Sequence, residues 1–141
     1  MSLKEDQHMA VARDVMTTQV ITVKPNTTIH EAIKTLVALE ISGLVVTEDN
    51  GDILGVVTER DLLVAYQFLK KTSAPVEDYM NNKIISVSEE TTVEEISQML
   101  VQGDIRRVPV IKDKKVVGLV SRRDLLKNII KQEEKQRKQL S

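Results

Sequence analysis

The chain contains no cysteine and no tryptophan, and its only aromatic residues are Tyr66, Phe68 and Tyr79. The absence of cysteine excludes disulfides and thiolate zinc sites. It also fits a reducing compartment, so we expect a cytoplasmic protein. Because aromatic rings are so few, we expect any bound base to lie between aliphatic side chains rather than on an aromatic platform.

No charge of one sign dominates the chain, since 20 basic and 21 acidic residues leave a formal net charge of −1. This balance provides no general attraction to nucleic acid or to acidic membrane surfaces. No apolar run is long enough to span a bilayer, and the N-terminus lacks the pattern of a signal peptide. With 41% hydrophobic and 29% charged residues, the composition predicts a soluble globular domain.

One stretch occurs twice, as GVVTERDLL at 55–63 and as GLVSRRDLL at 118–126. In each copy a hydroxyl residue follows an apolar strand, and an acid stands three positions later: Thr58 with Asp61, and Ser121 with Asp124. A hydroxyl N-cap with an acid in the first helical turn is a common capping arrangement. A helix N-terminus also suits phosphate, and a nearby carboxylate suits a ribose diol, so both interpretations stay open.

The two copies belong to an internal repeat with an offset of 64 residues, which becomes 63 from Gly118 onward. Capping boxes are predicted at Thr28 with Glu31 and at Thr92 with Glu95. Apolar residues at helical spacing follow each box. The strands are predicted at Val20–Val23, Gly43–Thr47 and Ile53–Val57, and their counterparts in the second repeat begin with Ile84–Val87.

The predicted fold class is α/β (α+β), with two β-α-β-β-α repeats packed about a pseudo-twofold axis. A repeat of this size buries too little surface to be stable alone, so the two are expected to pack together. The predicted divisions are a flexible tail at 1–10, repeats at 11–71 and 76–130, a linker at 72–75, and a charged helix end at 131–141.

Four features together resemble a tandem pair of cystathionine β-synthase (CBS) domains, also called a Bateman module, over roughly residues 11–130. They are Asp14-Val15-Met16, the strand Ile21-Thr22-Val23, Val108-Pro109-Val110 and the doubled motif. The resemblance implies that the motif binds adenosine ligands, with Asp61 and Asp124 accepting from the ribose hydroxyls. It further implies that the motif of one repeat faces the first strand and the second-strand entrance of the other.

The resemblance therefore implies two crossed sites. One comprises Thr58, Arg60, Asp61, Ile84, Ile85, Ser86, Ile105, Arg106 and Arg107. The other comprises Ser121, Arg123, Asp124, Val20, Ile21, Thr22, Ile41 and Ser42. Arg106 and Arg107 replace Ser42 and Gly43 of the first repeat. Because guanidinium groups bind phosphate through forked hydrogen bonds, the Asp61 site is predicted to hold phosphate more strongly.

The implied function is a regulatory module that senses AMP, ADP, ATP or S-adenosylmethionine and modulates an unidentified effector protein. The resemblance also implies a twofold homodimer formed through helix faces. The alternative is a structural or dimerisation module that binds no ligand.

Other function classes have little support in the sequence. The only histidines are His8 and His30, and no set of acid, base and nucleophile is evident, so we expect no catalysis. In the loop at 48–52 the positions before Gly51 do not carry the oxygen ligands that a calcium loop requires, and we expect no metal site. The basic residues of 131–138 are interrupted by glutamates, so nucleic-acid binding is not expected.

Overall fold

The computed structural model describes residues 10–103 and 105–140. These residues form two compact units. The first-motif unit is Val20–Ile84 and contains Thr58 and Asp61. The second-motif unit combines residues 10–19 with 85–140 and contains Ser121 and Asp124. Residues 11–19 therefore belong to the first repeat by sequence and to the second-motif unit by packing. Most of the predicted tail, residues 1–9, lies outside the described residues.

The regular elements follow the predicted β-α-β-β-α order in the first repeat, whereas the second repeat lacks the first strand. In chain order they are α1 (Ala12–Val15), β1 (Thr22–Val23), α2 (Ile29–Leu39), β2 (Gly43–Thr47), β3 (Ile53–Thr58), α3 (Glu59–Leu63), α4 (Val93–Gln102), β4 (Arg107–Lys112), β5 (Lys115–Ser121) and α5 (Arg122–Leu140). A π-helical turn, Val64–Phe68, extends α3. A search of the described helices finds none that is both long and apolar enough to cross a membrane.

The first-motif unit is built on a three-stranded sheet in the order β1-β2-β3. Strand β1 is parallel to β2, and β2 forms an antiparallel hairpin with β3. Helix α2 begins at the predicted capping box, where the Thr28 hydroxyl accepts from the Glu31 N–H at 3.1 Å. Its apolar face packs on the sheet. The buried core comprises Ile29, Ala32, Leu36, Leu44, Val46, Val57, Leu62, Ala65 and Val76.

The second-motif unit contains the antiparallel hairpin β4-β5, with α4 and the start of α5 packed against it. The N-cap Thr92 accepts from the Glu95 N–H at 3.2 Å, as predicted. Helix α1 is attached to this unit by the Ala12 N–H, which donates to the Thr91 carbonyl at 2.8 Å. The buried core comprises Ala12, Val87, Ile96, Leu100, Val108, Val110, Val120 and Leu125.

A methionine covers the glycine that opens each motif. A Cβ placed on Gly118 would lie 2.5 Å from the Met16 sulfur. A Cβ on Gly55 would lie 2.7 Å from the Met80 sulfur and 2.9 Å from the Asn81 carbonyl oxygen. Only glycine permits this close approach at both positions. The segment that opens each repeat by sequence, with Met16 or Met80, therefore packs on the motif strand of the other repeat, within the same unit.

The first strand of each repeat is shorter than predicted. In the first repeat only Thr22–Val23 is a strand, not Val20–Val23. In the second repeat the prediction of a strand at Ile84–Val87 is wrong, because Val87 alone forms a bridge, parallel to Val110. The physical reason is a proline. Val45 donates its N–H to the Ile21 carbonyl at 3.5 Å, whereas Pro109, its counterpart, has no N–H to donate.

Candidate functional site

In the first-motif unit the acid of the motif closes a capping box. Oδ2 of Asp61 accepts from the Thr58 N–H at 2.8 Å and from the Thr58 hydroxyl at 2.9 Å. The Thr58 hydroxyl accepts in turn from the Asp61 N–H at 3.3 Å. The capping interpretation of the motif is therefore confirmed here. Asp61 is half-buried, so the residue keeps part of its surface accessible to solvent.

The second-motif unit repeats this geometry closely. Oδ2 of Asp124 accepts from the Ser121 N–H at 2.8 Å and from the Ser121 hydroxyl at 3.0 Å. The Ser121 hydroxyl accepts from the Asp124 N–H at 3.2 Å. Two distant parts of the chain thus hold an aspartate with the same hydrogen bonds, in which Oδ2 of the carboxylate accepts from the N-cap residue.

The other oxygen distinguishes the two acids. Oδ1 of Asp124 accepts from the Thr17 hydroxyl at 3.0 Å. Within residues 10–103 and 105–140, no such donor reaches Oδ1 of Asp61. Sequence reasoning missed Thr17 because the contact joins residues 107 positions apart. No signal in the sequence could have found it, because the packing of residues 10–19 on the second motif is seen only in the structure.

The arginines differ in their surroundings. Arg60 and Arg123 are exposed on the first turns of α3 and α5. Arg106 is exposed before β4. Arg107 is half-buried and lies directly opposite Ser121 in the β4-β5 ladder. Arg122, which directly precedes Arg123 in the second motif, was not among the predicted site residues. Its Nη2 donates to the Leu100 carbonyl at 2.8 Å.

The cross-strand position of Arg107 places its backbone beside the second motif of its own repeat. Gly43 occupies the same position opposite Thr58 in the first-motif unit. Ser42 also lies beside that motif, because its carbonyl accepts from the Glu59 N–H at 3.0 Å. Ser42 thus lies beside the first motif, within one unit. The crossed assignment of Arg106, Arg107, Ile41 and Ser42 stays a prediction.

The remaining predicted residues are partly accessible. Val20, Ile21, Ile41, Ile84 and Ile105 are half-buried, whereas Thr22, Ile85 and Ser86 are exposed. Ser86 lines an open groove of about 470 Å³ in the second-motif unit. Its other lining residues are Val87, Ser88, Thr91, Glu95, Met99 and Ile111. Over the described part of the chain, no group of three or more His, Asp or Glu side chains has the arrangement of a metal site.

The chain is similar to several known proteins. The CBS domain family model matches residues 12–67 and 76–131. The CBS domain-containing protein YhcV of Bacillus subtilis is 33% identical over 121 residues, covering 85% of this chain and 86% of that protein.

Two similar crystal structures hold ligands. CBSX2 of Arabidopsis thaliana in complex with AMP has a TM-score of 0.79 and 28% identity, covering 88% of this chain and 98% of that chain. The CBS domain pair of MJ0100, in complex with 5'-methylthioadenosine and S-adenosyl-L-methionine, has a TM-score of 0.76 and 25% identity, covering 89% and 99%. With two matched domains that span most of its length, the chain belongs to the CBS domain family.

Proposed function

We propose that this chain is a regulatory module that binds adenosine-containing ligands through the carboxylates of Asp61 and Asp124. The observation that supports this most directly is the doubled geometry of the motif. In each unit one carboxylate oxygen is fixed by the N-cap residue, and the side chain stays partly accessible. An ionised carboxylate only accepts hydrogen bonds, and a ribose diol supplies two donors, so the chemistries are complementary.

The ligand class is supported by what the similar structures contain. AMP, S-adenosylmethionine and 5'-methylthioadenosine share the adenosine-type ribose and differ at the 5' substituent. A carboxylate that binds ribose hydroxyls does not select among 5' substituents. Cationic side chains would strengthen selection for phosphate, and Arg106 and Arg107 are the candidates, since guanidinium forms charge-assisted hydrogen bonds with phosphate oxygens.

The proposed regulatory role requires a surface that contacts another protein. We expect a homodimer formed through helix faces. Apolar residues at helical spacing on α5 support this role, because Leu126, Ile129 and Ile130 are 62%, 51% and 55% exposed. Sedimentation equilibrium tests the dimer, and a mass of one chain at every concentration would contradict it. The regulated effector would be a separate protein.

Thermal melting with a panel of nucleotides tests the binding function. A ligand at about a hundred times its dissociation constant stabilises the folded state by about 2.7 kcal/mol. For a chain of this size the melting temperature then rises by several degrees. We expect this rise with at least one of AMP, ADP, ATP and S-adenosylmethionine. Free adenine, which lacks the ribose, is the matched control and should produce little change. Unchanged melting with all four ligands would favour the ligand-free structural module.

A further inference from the structure

The contact between Thr17 and Asp124 has no counterpart in the first-motif unit. At the repeat offset of 64, the residue equivalent to Thr17 is Asn81. The two backbones are held alike. Thr17 exchanges both main-chain hydrogen bonds with Leu119, at 2.8 and 2.9 Å, and Asn81 exchanges both with Val56, at 2.8 and 3.0 Å.

The side chains of Thr17 and Asn81 nevertheless form different hydrogen bonds. The Thr17 hydroxyl donates to Oδ1 of Asp124 at 3.0 Å. The Asn81 side-chain oxygen instead accepts from the Lys83 N–H at 3.0 Å, in a local turn. A threonine and an asparagine at equivalent backbone positions therefore give the two motif acids different surroundings.

The number of remaining acceptor positions follows from the hydrogen bonds of each carboxylate. An ionised carboxylate has about four lone-pair positions, two on each oxygen. In both acids Oδ2 already accepts two hydrogen bonds from the N-cap residue. Among the described residues, Oδ1 of Asp61 accepts none and Oδ1 of Asp124 accepts one. Asp61 thus has two positions left for a ligand, and Asp124 has one.

We propose that Thr17 is a specificity-determining residue that limits Asp124 to one ribose hydroxyl, whereas Asp61 accepts both. This inference rests on the proposed binding of adenosine ligands. A ligand that lacks either the 2' or the 3' hydroxyl loses one hydrogen bond at Asp61. At Asp124 the remaining hydroxyl takes the single position, so the same ligand loses little. The two sites therefore differ in how strongly they discriminate ribose from deoxyribose.

Calorimetric titration of the full chain with AMP, 2'-deoxy-AMP and 3'-deoxy-AMP tests the proposal. The Asp124→Ala background isolates the Asp61 site, and the Asp61→Ala background isolates the Asp124 site. A hydrogen bond to a charged group corresponds to about tenfold in affinity or more. We expect each deoxy ligand to bind about tenfold more weakly than AMP at Asp61. At Asp124 we expect a difference within about threefold.

The decisive variant is Thr17→Val, which removes the hydroxyl and nearly preserves the side-chain shape. In the Asp61→Ala background it should raise the preference for AMP over both deoxy ligands to about tenfold. Thr17→Ser retains a hydroxyl and should preserve the small preference. Thr18→Val is the matched control, because the Thr18 hydroxyl contacts neither Asp61 nor Asp124. This variant should leave the preference for AMP over the deoxy ligands unchanged.

The outcomes separate this inference from the proposed function. If neither site of the unsubstituted chain binds AMP, the proposed function fails and the inference fails with it. If AMP binds and Thr17→Val weakens AMP and both deoxy ligands by the same factor, Thr17 only attaches residues 10–19 to the unit. That result, or an unchanged preference, overturns the inference and leaves the proposed function intact.

Discussion

Replacing Asp61 by alanine separates a capping role from a ligand-binding role, because the structure predicts a different magnitude for each. The variant loses two hydrogen bonds from Thr58, at 2.8 and 2.9 Å. The Thr58 hydroxyl still caps the helix, since its acceptor bond comes from the main-chain N–H of position 61. Each bond to the ionised carboxylate contributes about 1.5–3 kcal/mol when its donor is left without a partner, and water replaces most of this at the half-exposed position. We expect a total cost of about 1–2 kcal/mol.

This cost lowers the melting temperature by several degrees and leaves the unfolding cooperative. The effect on ligand binding is larger. Two ribose hydroxyls donating to an ionised acceptor contribute about 1.5–3 kcal/mol each. Their loss weakens AMP at the Asp61 site by about a hundredfold or more. Calorimetry measures the affinity, and circular dichroism measures the melting.

The chain offers a matched control in the capping box of α2. Oε1 of Glu31 accepts from the Thr28 hydroxyl at 3.0 Å, and the Thr28 hydroxyl accepts from the Glu31 N–H at 3.1 Å. Glu31→Ala therefore removes a similar cap in the same unit, away from the motif. We expect a similar loss of melting temperature and unchanged AMP affinity. If Asp61→Ala behaves as Glu31→Ala does, with every AMP affinity preserved, Asp61 is a cap and the ligand-binding argument is wrong.

Two further variants test the phosphate and packing arguments. Arg107→Ala should weaken AMP about tenfold or more while adenosine is nearly unaffected, because only AMP carries a phosphate. The crossed assignment predicts this loss at the Asp61 site. A loss at the Asp124 site in calorimetry would instead assign Arg107 to its cross-strand neighbour Ser121. Gly55→Ala should destabilise the fold by about 1–3 kcal/mol, because the new methyl meets the Asn81 backbone oxygen. The three atoms nearest a Cβ on Gly118 all belong to the Met16 side chain, which can move, so Gly118→Ala should lower the melting temperature less; equal losses would contradict this reasoning.

The local signals in the sequence predicted most of the fold. The hydroxyl and acid spacings placed the starts of α2, α3, α4 and α5, because capping depends on residues within one turn. The apolar runs located the hairpins for a similar reason, since adjacent strands need only a short turn. The prediction of a strand at Ile84–Val87 was wrong because pairing of this strand depends on an N–H donor from β4, and Pro109 supplies none. The missing N–H of Pro109 was visible in the sequence. Its effect on this strand followed only once the register of β4 against residue 87 was known.

The candidate site was predictable only as far as its contacts are local. The bonds of Asp61 and Asp124 to the N-cap residues span three positions, so the motif revealed them. The Thr17 contact spans 107 positions and depends on where residues 10–19 pack. Neither periodicity nor motif spacing carries that information. The difference between the two acids therefore emerged only from the three-dimensional structure.

Ligand binding by these two carboxylates is tested by a calorimetric titration of the Asp61→Ala/Asp124→Ala double variant with AMP, beside the unsubstituted chain. We expect saturable binding by the unsubstituted chain. We expect no measurable binding by the double variant, which should still melt cooperatively, several degrees lower. AMP binding by the folded double variant with unchanged affinity and stoichiometry would contradict the claim that these carboxylates bind the ligand.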